Sequence, residues 1–135
     1  MLRPLHPLQA IFLAGGLTLA LGALLGDITY SRSFEIQWKN FASWLVLAGL
    51  MLNAVVAVWA VVDVARLRND RGARRITYLV LVIAASVLGL VNALVHASDG
   101  WQSMPAGAYL SGLVGILLIA ATWLGFSHYR ARVVL

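Results

Sequence analysis

The chain has 135 residues, of which 61% are hydrophobic and only 11% charged, with a mean hydropathy of +0.87. Water-soluble domains carry roughly 25% charged residues, so this composition excludes an ordinary soluble domain and indicates a single membrane domain. Cysteine is absent, which excludes disulfides, thiolate metal sites and a cysteine-ligated iron–sulfur cluster. The formal net charge of +5 hints at nucleic acid only until the positions of the charges are read.

Uncharged runs occupy 4–26, 40–62, 76–98 and 100–129. Each exceeds the roughly 20 residues needed to cross a hydrocarbon core about 30 Å thick, and the last contains a break from Gly100 to Gly107. Backbone groups inside a bilayer must be paired within the protein, so helices are predicted near 8–26, 41–62, 76–97 and 106–128. The first run lacks a small-x-small cleavage site followed by a soluble domain, and three more spans follow. It is therefore read as a retained helix rather than a signal peptide. Short connections make sequential helices antiparallel neighbours. The expected fold is an all-α membrane protein, a four-transmembrane-helix up-down-up-down bundle in one domain, 1–135.

Arg3, Arg66, Arg68, Arg71, Arg74, Arg75, Arg130 and Arg132 fall on the side of the termini and the middle loop. Only Arg32 and Lys39 fall on the other side. This bias predicts that both termini are cytoplasmic. The arginines then serve topology and contact with anionic lipid heads, and no nucleic acid is expected. The outer side carries Tyr30, Phe34, Trp38, Phe41, Trp44, Trp101 and Tyr109, which are aromatic anchors at an interface, and is made mildly acidic by Asp27, Glu35 and Asp99.

The third predicted helix sets a small, polar stripe against an aliphatic remainder. At 100° per residue, Ala85, Ser86, Gly89, Asn92, Ala93 and His96 share a sector roughly 120° wide, which is expected to face the other helices. Thr18, Asn53 and Ser86 lie at similar depth in the first three helices and are expected to be interhelical glue. A proton or solute path along them is the weaker alternative, because the predicted spans hold no carboxylate and no mid-span proline.

Two constellations could carry chemistry. His6 and His128 fall at the cytoplasmic boundary on helices that neighbour each other in a bundle, so they could hold a haem iron as axial ligands. Asn92 and His96 are four residues apart and stack on one helix face, with Asp99 and Trp101 just beyond. A histidine with a carboxylate at a membrane surface is a candidate for a proton-linked quinone site, because quinone reduction needs proton delivery. Asp63 is expected to pair with Arg66 and Arg74. Ser111 and Ser127 have no base at a diagnostic spacing, and no residue is assigned a catalytic role.

Leu5-His6-Pro7-Leu8 opens the first helix, Trp38-Lys39-Asn40-Phe41-Ala42-Ser43-Trp44 enters the second, and Asp63 closes it. Together with Gly89-Leu90-Val91-Asn92-Ala93-Leu94-Val95-His96 and Asp99-Gly100-Trp101, these resemble the bacterial membrane-protein family catalogued as domain of unknown function 2231. The resemblance spans nearly the whole chain. One departure is that Leu8-Gln9-Ala10-Ile11 lacks the second proline that relatives often carry after His-Pro. The resemblance implies four helices, an inner membrane and the company of redox proteins such as periplasmic quinoprotein sugar dehydrogenases or Rieske-type domains. Two readings follow. One is an electron-transfer subunit using haem b or quinone between a periplasmic dehydrogenase and the quinone pool. The other is a non-catalytic anchor for a periplasmic protein. A second copy of the chain is an allowed partner.

Overall fold

A computed structural model describes residues 5–66, 72–98 and 100–133, without side-chain detail at 100, 101 and 128–133. Four helices follow in order: α1 (Pro7–Ser33), α2 (Ile36–Arg66), α3 (Ala73–His96) and α4 (Ala106–Val133). All four are long and apolar enough to cross a membrane, and no strand occurs among the described residues. A short 3-10 helix, Gly100–Ser103, precedes α4.

The helices run further than the uncharged stretches. α1 continues past Gly26 to Ser33 and α2 begins at Ile36, so the expected outer loop over 27–40 shrinks to Phe34 and Glu35. Charge marked the wrong boundary here, because Asp27 and Lys39 are buried and partnered within the bundle. The tight connection is made by Phe34. It adopts a left-handed conformation at φ 60° and sends its N–H to the Tyr30 carbonyl, closing the last turn of α1. The start of α1 is also defined locally. Pro7 occupies the first turn, where its missing N–H is harmless, and His6 caps the helix by accepting a hydrogen bond from the Leu8 N–H at Nδ1, 3.2 Å.

α1 packs on α2 and α4, and α3 packs on the same two, closing a square. Neighbours are antiparallel. Gly26 meets Ala42 while Gly16 meets Asn53; Tyr78 meets Gly125 while His96 meets Gly107. Across α2 and α3, Lys39 meets Ser98 and Asn53 meets Ser86. Across α1 and α4, Asp27 meets Ser111 and Leu13 meets Gly125. The up-down-up-down bundle is thus the observed fold.

Each helix buries one seam with alternating steps of three and four. α1 buries Gln9, Leu13, Gly16, Ala20, Ala23, Asp27 and Tyr30; α2 buries Lys39, Ala42, Val46, Gly49, Asn53, Val56 and Ala60. α3 continues the rule with Tyr78, Val82, Ala85, Gly89, Asn92 and His96, which is the predicted inward stripe extended to the helix start. On α4 the same spacing picks out Gly107, Ser111, Val114, Leu118, Ala121 and Gly125. This is the repeat of left-handed helix packing. Its content is small or polar, while Ile11, Leu25, Val87, Leu94 and Ile116 are exposed on the outside. Lipid is as apolar as leucine, so packing and hydrogen bonds rather than hydrophobic burial join the helices.

The seams form layers in which a large residue is met by a small one. A Cβ on Gly107 would lie 2.9 Å from His96 Cε1, one on Gly125 would lie 3.3 Å from Tyr78 Cε2, and one on Gly16 would run into Asn53 Oδ1. The level near the termini is crossed by Gln9 Nε2, which donates to the Tyr78 hydroxyl at 3.0 Å, and an apolar group that includes Leu13, Val56, Val82 and Leu118 fills the level beside it. Gly16→Ala is therefore expected to lower stability by about 1–3 kcal/mol, because Asn53 must leave its position in a closed interior. Gly112→Ala, whose added carbon comes no closer than 3.8 Å to a neighbour, should be neutral or slightly stabilising. Unfolding of both variants in mixed micelles titrated with sodium dodecyl sulfate tests the contrast.

Candidate functional site

The end of the bundle that carries the α1–α2 and α3–α4 connections is the far end. There the seams bring Asp27, His96, Ser111 and Asn92 together, from three helices. His96 Nε2 lies 2.7 Å from Asp27 Oδ1, and the Ser111 hydroxyl donates to Asp27 Oδ2 at 2.7 Å. Asn92 Nδ2 donates to Ser111 Oγ at 3.0 Å. His96 Nδ1 sits 2.9 Å from the Asn92 backbone carbonyl. All four residues are buried.

Directionality follows from the partners. A carbonyl can only accept, so His96 Nδ1 carries a hydrogen. The other ring nitrogen and Asp27 Oδ1 then share one further proton, as imidazolium with carboxylate or imidazole with carboxylic acid. Either form is neutral as a pair, which is what a buried ionisable group in lipid requires. Removing that proton would set a lone pair against a carboxylate in a closed site. On the second carboxylate oxygen, Ser111 acts as donor, so its oxygen must take its own hydrogen bond from the Asn92 amide N–H.

The order is not that of a serine–histidine–carboxylate triad, in which the imidazole lies between the serine and the carboxylate. Here the carboxylate lies between the imidazole and Ser111.

Lys39 closes the far end. It is buried and its Nζ donates to the Ser98 carbonyl at 2.7 Å, placing a positive charge at the C-terminal end of α3, where the helix dipole favours it. Ser103 and Met104 are also buried, the latter with Ser31 Oγ 3.4 Å from its sulfur, and a cis Met104–Pro105 peptide leads into α4.

The sequence-derived candidates divide as follows. Asn92 and His96 belong to the cluster, facing inward as expected. Asp99 and the side chain of Trp101 lie outside the described residues, and Asp27 is the carboxylate that orients the imidazole. Asp27, placed by its charge in an acidic loop, is instead a fully buried residue of α1. The expectation that the spans hold no carboxylate is overturned with it. Ser111 and Lys39 were likewise overlooked as site residues. His6 stacks on Trp59, with centroids 4.9 Å apart, and uses Nδ1 for its cap. In that tautomer the hydrogen sits on Nε2, so the cap and iron ligation through Nε2 compete. The side chain of His128 lies outside the described residues.

Of the expected mid-depth layer, Asn53 is buried and Ser86 donates to the Val82 carbonyl at 3.0 Å, with the Asn53 carbonyl 3.4 Å away. Thr18 is exposed and bonds its own helix at the Ala14 carbonyl, so it is not part of that glue. Arg74 reaches Ser127 on α4 at 2.7 Å. On the outer side of α2, an open groove of about 590 Å³ is lined by Ala54, Val55, Val58, Trp59, Val62, Asp63 and Arg66. No cluster of three or more histidine, aspartate or glutamate residues suited to a metal ion occurs among the described residues.

Fold and site together define a multi-pass membrane protein in contact with the lipid bilayer, three of its four helices joined by a buried polar clamp. The chain belongs to the family of predicted membrane proteins DUF2231, whose model matches residues 2–133. No curated protein and no solved structure matches it.

Breaking a buried pair is costly because one partner is left without a mate. Asp27→Leu and His96→Leu should each lower stability by about 3 kcal/mol or more. The double variant should fall short of their sum by about 1–3 kcal/mol. Unfolding titrations of the four proteins in the same micelle complete the cycle, and strict additivity would remove the clamp.

Proposed function

We propose that the protein is a non-catalytic anchor that presents the aromatic far end of its bundle to a partner protein at the membrane surface. The observation that carries this reading is Phe34. At φ 60° a glycine would sit without strain, yet the chain holds a phenylalanine there, 68% exposed. A large aromatic side chain kept mostly exposed at such a position supports a surface retained for contact with a partner. Ile36, Trp38 and Phe41 are exposed beside it, with Trp38 and Phe41 edge to face at 6.1 Å. Large aromatic side chains of this kind dominate protein interfaces. The clamp behind them keeps the platform rigid. In the orientation set by the arginine bias the platform faces the periplasm of a bacterial inner membrane, and a periplasmic dehydrogenase is the class of partner that the resemblance suggests.

Phe34→Gly separates docking from folding. It should raise stability by about 1 kcal/mol, since glycine relieves the left-handed strain, while reducing recovery of the cross-linked partner. Equal partner recovery from the variant and the parent, at matched membrane levels, would sink the reading. Reporter fusions at the two tails should report a cytoplasmic position for both.

A second reading is favoured by the proton shared between His96 and Asp27. In it, Asn92, His96, Asp99 and Trp101 form a proton-linked quinone site in an electron-transfer subunit. Both ring nitrogens of His96 are engaged and Gly107 lies against the ring, so a quinone would have to displace Asp27 or the Asn92 carbonyl. Haem b at His6 and His128 is less favoured still, because of the His6 cap. Gently purified protein should show no Soret band and no co-extracted quinone if the anchor reading holds; either signal would favour electron transfer.

A further inference from the structure

Between the far-end clamp and the apolar layer lies a small, partly open cavity of about 20 Å³. Its walls include Ala20, Gly49, Gly89 and Val114, together with Asn53 and Asn92. Ala20, Gly49 and Gly89 have so little side chain that the void opens at that level. Two buried acceptors, Asn53 Oδ1 and Asn92 Oδ1, belong to wall residues and have no hydrogen-bond partner.

The Asn92 acceptor is not a matter of amide orientation. Asp27 makes Ser111 a donor, Ser111 therefore accepts from Asn92 Nδ2, and Asn92 Oδ1 is left over. The backbone directions incline the two side chains towards each other along the bundle axis. Helical Cα–Cβ bonds tilt towards the helix N-terminus. α2 begins at the far end, so Asn53 leans that way; α3 begins at the opposite end, so Asn92 leans back towards Asn53. An unpaired buried amide oxygen is costly, and a void needs at least about 10–15 Å³ and two or more polar partners to hold water.

We propose that this cavity is a hydration site for one water molecule, which donates one O–H to Asn92 Oδ1 and the other to Asn53 Oδ1. The water extends the clamp from α1, α3 and α4 to α2, so that all four helices join one hydrogen-bonded chain. It does not make a proton wire, because an amide side chain holds its N–H protons too firmly to pass them on.

The test is nuclear magnetic resonance of the isotope-labelled full chain in lipid nanodiscs, reading magnetisation transfer from water to the side-chain amides. Transfer is expected at both Asn53 and Asn92; its absence at either residue overturns the proposal. Asn53→Leu removes one acceptor and should abolish transfer at Asn92, whereas surviving transfer would show a water held some other way. Ala20→Val fills the cavity while leaving both amide groups in the chain and should abolish both signals, and persistence of either would again overturn the bridge. The parent measurement decides the matter alone if a variant does not fold.

Discussion

A polar side chain buried among helices in lipid needs a partner, and at the far end of this bundle the partners come from other helices. The far-end clamp is the fullest expression of this requirement. Asp27 receives a shared proton from His96 and a hydroxyl hydrogen from Ser111, and Ser111 is in turn satisfied by Asn92. Each partner sets the donor or acceptor role of the next. The result is a neutral group built from charged and polar residues. Helices held in this way need small residues to approach closely, and glycine lies opposite the large residue at the His96, Tyr78 and Asn53 levels.

The same requirement explains what the amino-acid pattern revealed. Four apolar runs were enough for four spans, and the inward stripe on α3 could be read because Asn92, His96, Ala85 and Gly89 stand out against aliphatic residues. Asp27 escaped because charge was used to end helices, a rule that fails when the charge has a buried mate. The signal was nevertheless present. Continuing the three-and-four spacing of Leu13, Gly16, Ala20 and Ala23 leads to Asp27 and then Tyr30, and the same step carries the α2 seam back to Lys39. Ser111 follows from Gly107 by one step of four. What no spacing could give is the pairing across the square, because that depends on which helices face each other.

The aromatic residues at the far end were legible as interfacial anchors and as a face for docking a periplasmic protein. The left-handed backbone at Phe34 was not. A left-handed phenylalanine cannot be recognised from its neighbours Ser33 and Glu35, since the conformation arises only when α1 and α2 must reverse direction within two residues. Local preference and tertiary demand disagree at Phe34, Asp27 and Lys39, and such disagreements are where a role is expected.

Gln9 bonds Tyr78, and Asp27 bonds His96, both across the diagonal from α1 to α3. On each helix the two residues are eighteen apart, five full turns or about 27 Å, so both ties leave from the same face. Two bolts at matched intervals make a rail. A piston stroke of either helix past the other would shear both ends at once, and a twist would carry both off the shared face. Along this diagonal the molecule is therefore built as a stiff strut.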